Sequence, residues 1–324
     1  MQLSMEPHPV LAVSLNSAWQ KTLNFGKLTC GAVNRAQSCH EAGGGKGVNV
    51  ARVFRQLGLP VAVAAFAGGH PGECLRREFA ETGVTDLTVS SAGVTRCCYT
   101  VIDRERGEAT ELIEPSAPIA PAEVEELRAL LLPKLSGFGA VALCGTLPPG
   151  VPSDIYAELA AGANAAAVPV VLDAVRNIDA TLAAGVTLLK INADELAQLG
   201  TGATVPEQAA DLLARFPHVA WLAVTDGPNP AWLLQARGDA WRISVPRLER
   251  IVSPIGGGDC ATAIMTRRLA EGARDGLQVA QAFAEALACA SASCLTDTPS
   301  LFDPAVAAEL LAKTTITPVT PVTP

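Results

Sequence analysis

The sequence predicts an α/β fold: a mainly parallel central sheet with helices on both faces, three layers in all, and a small separate β-sheet lid. Three observations predict it. Short, continuous apolar runs each end in Gly, Asp, Lys or Asn, as strands buried on both faces do. Helical patterns stand between those runs, and strand–helix alternation builds a parallel sheet. Two other segments, 11–35 and 95–113, alternate apolar and polar residues and so suit a small sheet apart from the main one.

The expected main strands are 61–66, ending at Gly68-Gly69; 140–143, ending at Gly145; 168–172, ending at Asp173; 186–189, ending at Lys190 and Asn192; and 221–224, ending at Asp226-Gly227. The expected helices are 48–57, stopped by Gly58; 122–132, with Glu123, Glu125 and Glu126 in its first turn; 153–160; 206–215; and 260–269. Open α/β sheets bind ligands beyond the carboxyl ends of their strands, where these terminal polar residues fall. A single domain is expected over 1–313. Residues 314–324 repeat Thr, Pro and Val and read as a loosely attached tail.

With 324 residues, 49% of them hydrophobic, the chain can bury a large core. A net charge of -8 gives no general attraction to nucleic acid or to an acidic membrane. Nine cysteines without a Cys-x-x-Cys spacing fit reduced thiols in a cytosol better than a disulfide framework. His8, His40, His70 and His218 have no zinc-ligand spacing. Residues 1–9 lack a signal pattern, and no apolar run nears the roughly 18 residues that span a bilayer. A cytoplasmic protein is expected.

Gly256-Gly257-Gly258-Asp259 stands directly before a helical pattern. Glycines let the backbone turn tightly and aim N–H groups at an anion, and the helix N-terminus adds partial positive charge. Asp259 sets a carboxylate beside that anion hole, which suits a base taking a proton from a hydroxyl; an N-cap after a flexible loop is the plainer alternative. Gly43-Gly44-Gly45-Lys46-Gly47 opens a second helix. It is neither a P-loop, since no Ser or Thr follows Lys46, nor the dinucleotide fingerprint. Lys46 and Asn49 offer donors to a polyhydroxylated or anionic ligand, or else form a tight turn with a solvated Lys.

Arg96, after Thr95 on an expected lid strand, can clamp a phosphate with its planar fork or lie on the surface; Arg35 has the same two readings. Asn192 and Glu195, three apart beyond Lys190, can act on Mg²⁺ through water or form a capping box, and the two are compatible. Thr225-Asp226-Gly227 can line a nucleotide pocket or form a plain turn.

Together and in this order, these motifs resemble the ribokinase-like sugar kinases, and among them the phosphofructokinase-B type, which includes 1-phosphofructokinase and tagatose-6-phosphate kinase. The carriers are Ala42-Gly43-Gly44-Gly45-Lys46-Gly47-Val48-Asn49-Val50-Ala51-Arg52, Gly68-Gly69-His70-Pro71-Gly72, Thr95-Arg96, Gly145-Thr146-Leu147-Pro148-Pro149-Gly150, Asn192-Ala193-Asp194-Glu195 and Gly256-Gly257-Gly258-Asp259, and the likeness runs from about Leu11 to Asp303. The resemblance implies a ribokinase-like kinase domain with a β lid, often dimeric through that lid, using ATP and Mg²⁺. It implies Asp259 as base, the N–H groups of Gly256, Gly257 and Gly258 as anion hole, and Asn192 and Glu195 acting on Mg²⁺. Lys190, Thr225 and Gly227 would then line the nucleotide site. Gly44, Gly45, Lys46, Asn49 and Gln20 would hold the sugar, with Arg96 on its phosphate and Arg35 nearby.

The chain departs from the family pattern in five places. Gln20 replaces an Asp expected to bind sugar hydroxyls, Gly257 replaces the usual Ala of the anion hole, Ile191 replaces a Pro, Pro230 replaces a Gly, and Ser253 replaces an Asn or a Thr-like residue. The leading expectation is an ATP-dependent kinase of a phosphorylated ketohexose. Fructose 1-phosphate stands ahead of tagatose 6-phosphate and fructose 6-phosphate, on the likeness of Val33-Asn34-Arg35 to the 1-phosphofructokinase pattern. The alternatives are a kinase of an unphosphorylated sugar or nucleoside, and a non-catalytic sugar-phosphate or nucleotide sensor.

Overall fold

The computed structural model describes residues 8–236 and 238–320. In chain order the strands are β1 (Val10–Val13), β2 (Ala18–Phe25), β3 (Ser38–Gly44), β4 (Val61–Ala64), β5 (Phe66–Ala67), β6 (Thr85–Asp86), β7 (Val89–Ser90), β8 (Cys97–Asp103), β9 (Glu108–Ile113), β10 (Ala140–Cys144), β11 (Val170–Asp173), β12 (Val186–Asn192), β13 (Val219–Thr225), β14 (Ala231–Gln235), β15 (Ala240–Ser244) and β16 (Thr315–Val319). The helices are α1 (Lys46–Gln56), α2 (Gly69–Thr82), α3 (Pro121–Leu131), α4 (Ile155–Ala165), α5 (Asp179–Ala184), α6 (Ala193–Leu199), α7 (Val205–Arg215), α8 (Gly257–Ala270), α9 (Gly276–Ser293) and α10 (Pro304–Ala312).

Ten strands form the main sheet in the order β16-β15-β14-β13-β12-β11-β10-β1-β4-β6. Neighbours from β13 across to β6 pair parallel, while β14, β15 and β16 add an antiparallel margin. Strand periodicity explains the three layers. Val10, Ala12, Val61, Val63, Ala140 and Ala142 face one buried cluster, shared with α1, α8 and α9. Their neighbours Leu11, Val13, Ala62, Ala64, Val141 and Leu143 face the other, shared with α3, α4 and α7. The chain runs from β1 outward to β4 on one side and returns through β10 to β13 on the other. The strand order therefore reverses beside β1, where open α/β sheets form a crevice.

The lid is a second sheet, β3-β2-β8-β9, with β2 and β8 parallel. Its composition corrects two expectations. Residues 11–13 are not lid: Val10–Val13 is fully buried mid-sheet, and the polar alternation begins only with β2. Ser38–Gly44 is a lid strand not foreseen, because Ser-Cys-His-Glu-Ala-Gly-Gly carries no β-branched residue and gains its conformation from pairing with β2.

The Thr/Pro-rich tail is corrected as well. Thr315–Val319 pairs antiparallel with Ala240–Ser244. Pro318 is tolerated because β16 is the edge strand, where no further ladder bond is required. Residues 321–324 of that tail, and 1–7 of the expected domain, lie outside the described residues. Helix α2 was hidden by its Gly-His-Pro-Gly start, yet Pro71 sits in its first turn, where a missing N–H is harmless.

Candidate active site

The first turn of α8 carries the site. Its N-cap, Gly256, has φ 83°, and a Cβ there would lie 2.5 Å from Ser300 Oγ, so only glycine fits. The first intrahelical bond is Cys260 N–H to Gly256 C=O at 2.9 Å. The N–H groups of Gly257, Gly258 and Asp259 therefore leave the helix end with no intrahelical acceptor. Asp259 is 8% exposed, and its Oδ2 accepts from Asn49 Nδ2, on α1, at 2.7 Å.

Beside it lies Asp173, wholly buried at the end of β11. Its Oδ1 accepts from Lys46 Nζ at 2.6 Å; its Oδ2 accepts from Lys190 Nζ at 3.1 Å and from Thr262 Oγ1 at 2.5 Å. Burial alone would raise the Asp173 carboxyl, but Lys190 and Lys46 hold it well below the usual carboxylate range. Burial opposes the charge on Lys46, yet Asp173 and Asp259 more than offset this and keep it protonated. Asp259 goes the other way: burial, then the Asp173 charge, push it up to about 6 against Lys46, Asn49 and Lys190. Two adjacent carboxylates are thus split into a permanent anion and a group able to accept a proton near neutrality.

Lys190, Asn192 and Glu195 stand beside this pair. Lys190 is 4% exposed under the helix start, where a Cβ on Gly258 would sit 2.9 Å from its Nζ. Asn192 and Glu195 form the capping box: Glu195 N–H donates to Asn192 Oδ1 at 2.8 Å and Asn192 N–H donates to Glu195 Oε2 at 2.9 Å. Glu195 Oε1 stays free of that box and lies 3.8 Å from Lys46 Nζ. Among the described residues no group of three or more His, Cys, Asp or Glu could hold a metal directly. Both Asp173 oxygens are occupied. One open carboxylate oxygen fits a hard cation held through water and phosphate, not an all-protein cage. Thr225 pairs in register with Asn192, and Gly227, φ 51°, lies in the exposed turn that follows.

On the lid side, Gly44 ends β3 and Gly45, φ 113°, caps α1. Gln20 Nε2 donates to Thr100 Oγ1 at 2.9 Å, and a Cβ on Gly44 would lie 3.1 Å from Gln20 Oε1, so this amide borders the glycine turn. Arg96 Nη2 donates to Asn16 O at 3.0 Å, while its Nε is buried without a partner among the described residues. Arg96 shares a small pocket with Asn16, Ser17, Ser116 and Pro148. Ser17, which lines that pocket, also packs on the turn of α1, where a Cβ on Gly45 would lie 3.3 Å from its Cα. Arg35 is not brought in: it is exposed in the loop between β2 and β3, and no hydrogen bond or ion pair of its side chain occurs among the described residues.

Sequence reasoning missed Asp173 and Thr262 as site residues. Asp173 carried a signal, a lone acid ending a buried apolar run; Thr262 carried none. A roomier concavity than the Arg96 pocket, about 430 Å³, lies elsewhere, lined by Arg268, Gln278, Glu285, Leu311 and Ile316 among others. Its Glu285 is already paired with Arg267 and Arg268.

The family model of pfkB family carbohydrate kinases matches residues 12–304. The chain is 36% identical to the 1-phosphofructokinase of Rhodobacter capsulatus over 261 residues, 78% of this chain and 81% of that protein. It is 27% identical to the tagatose-6-phosphate kinase of Staphylococcus epidermidis over 78% of this chain and 83% of that one. In fold it is similar to the phosphofructokinase-2 of Escherichia coli solved with substrates and products, with a TM-score of 0.84 at 24% identity, covering 94% of this chain and 99% of the other. The glycine-opened helix with its buried Asp, the ribokinase-like layers and these matches agree: the chain belongs to the pfkB family of carbohydrate kinases and is an ATP-dependent carbohydrate kinase.

Proposed function

We propose that this kinase transfers the terminal phosphoryl group of ATP to a hydroxyl of a phosphorylated ketohexose, fructose 1-phosphate before tagatose 6-phosphate or fructose 6-phosphate. The observation that carries the reading is Asp259, buried on the first turn of a glycine-opened helix and hydrogen-bonded to Asn49. Asp259 takes the acceptor proton as the hydroxyl attacks. The N–H groups of Gly257 and Gly258 and the α8 N-terminus stabilise charge on the transferring group, with Lys46 nearby. Phosphoryl transfer is governed mainly by such positioning and charge stabilisation. Glu195 and Asn192 would hold Mg²⁺ through water. When bound, that ion would neutralise phosphate charge.

Arg96 supports a phosphosugar, since its buried Nε has no partner among the described residues and an anion would satisfy it. The Rhodobacter capsulatus relative favours fructose 1-phosphate. Gln20, Gly44 and Gly45 border the sugar, and Thr225 and Gly227 the nucleotide. The exposed apolar pair Leu112 and Ile113 on β9 favours a homodimer through the lid. No described helix is long and apolar enough to cross a membrane, and nine free thiols suit a reducing cytoplasm.

The test is coupled ADP release with Mg·ATP against fructose 1-phosphate, fructose 6-phosphate, tagatose 6-phosphate, fructose, ribose and adenosine. Turnover confined to phosphosugars supports the reading. Turnover only with a neutral sugar or nucleoside moves Arg96 to a structural role, which its bond to Asn16 O would then explain.

A further inference from the structure

A chain of charged and polar groups links Asp259 to the lid. Asn49 and Arg52 stand three apart on α1 and share one face. Arg52 Nη1 donates to Asn49 Oδ1 at 2.5 Å, and Asn49 Nδ2 donates to Asp259 Oδ2 at 2.7 Å. A guanidinium can only donate, so it holds the amide oxygen toward itself and the amide N–H toward the carboxylate. Arg52 Nη2 donates to Gly43 O at 2.6 Å and lies 3.4 Å from Glu78 Oε1. Glu78, on α2, accepts from Gly43 N–H. Both backbone polar groups of Gly43, the penultimate residue of β3, are therefore gripped by one ion pair spanning α1 and α2. That pair is largely withdrawn from solvent, with 14% and 22% side-chain exposure.

We propose that Arg52 is a positioning residue: it fixes the Asn49 amide so that it donates to Asp259, and it ties that orientation to the seating of the lid strand β3. This rests on Asp259 being the base. Without Arg52 the amide is free to turn over, setting oxygen against oxygen at Asp259. With Arg52 in place, Asp259 Oδ2 is occupied, which leaves Oδ1 for the acceptor hydroxyl. The other charged groups facing Asp259 are Asp173 from β11, Lys46 from α1 and Lys190 from β12. None of them touches Arg52, so its influence passes through Asn49.

The experiment compares Arg52→Met, Arg52→Lys, Asn49→Ala and the Arg52→Met/Asn49→Ala double variant. The readouts are kcat, KM and the pH profile of kcat/KM for the preferred phosphosugar. Arg52→Met is expected to lower kcat by about tenfold or more, part of the roughly 10²–10⁴ that a positioned base supplies. KM for ATP should stay within about twofold, and the acid limb should move up by about one pH unit as a favourable hydrogen bond to the carboxylate is lost. The double variant should be no slower than Asn49→Ala alone, because one path is removed twice. Arg52→Lys, which keeps the charge but loses the planar fork, should fall between and carries the comparison if Arg52→Met folds poorly. An unmoved acid limb, or losses that multiply in the double variant, overturns the proposal. A fully active Asp259→Asn enzyme would instead overturn the base assignment itself.

Discussion

Replacing Asp259 with Asn separates what the carboxylate does for chemistry from what it costs the fold. Asp259 is pushed up to about 6 by burial and by Asp173, against about 3.9 in an unfolded chain. The difference of about two pH units corresponds to about 3 kcal/mol. The sign follows from protonation. Below about pH 4 the carboxyl is protonated folded and unfolded, and its ionisation does not affect stability. Between about 4 and 6 the unfolded chain ionises first, which favours unfolding; above about 6 the full penalty applies.

Asn carries no charge and can still accept from Asn49. Asp259→Asn should therefore match the parent in stability near pH 4 and exceed it by up to about 3 kcal/mol near pH 7.5. Urea denaturation at pH 4, 6 and 7.5 measures this, with ADP release run alongside. Phosphoryl transfer should fall by roughly 10²–10⁴. A stability gain that is absent, or equal at all three pH values, refutes the electrostatic reasoning. Retained turnover refutes the role as base.

The wild-type kcat/KM should fall as pH drops through about 6, where Asp259 gains its proton; a profile flat down to pH 5 contradicts this. Gly257→Ala should be accepted, since its Cβ would meet nothing closer than 3.5 Å, with a gain of about 0.5–1 kcal/mol in thermal unfolding and activity within a few-fold. Gly256→Ala, at φ 83° against Ser300, should instead lose about 2 kcal/mol or more together with transfer activity. Arg96→Ala should raise KM for the phosphosugar about 10–100-fold, the scale of a charged hydrogen bond, and spare KM for ATP; an unchanged acceptor KM shows that Arg96 holds no phosphate. Lys190→Met leaves Asp173 with Lys46 as its single cation and should cost about 3–5 kcal/mol in denaturant unfolding.

Much of this was legible in local stretches of chain. Apolar runs closed by Gly, Asp or Asn marked β10 to β13, because a strand buried on both faces must be apolar along its length. The α8 turn was legible because a positive φ at Gly256 and an acid on the first helical turn are properties of four adjacent residues. Less local features escaped. The lid strand β3 and the edge strand β16 are composed like loops, and pairing with β2 and β15 overrides their weak propensity.

By itself, the sequence determined the layer architecture, the glycine-opened helix start and the candidate base, since hydrophobic periodicity and glycine stereochemistry act over a few neighbouring residues. The tertiary structure alone decided how that candidate base is tuned. Asn49 meets Asp259 across 210 positions, and Lys46 meets Asp173 across 127. The split between a permanent anion and a proton acceptor arises from burial and charge at a few ångströms, and only folding sets that distance.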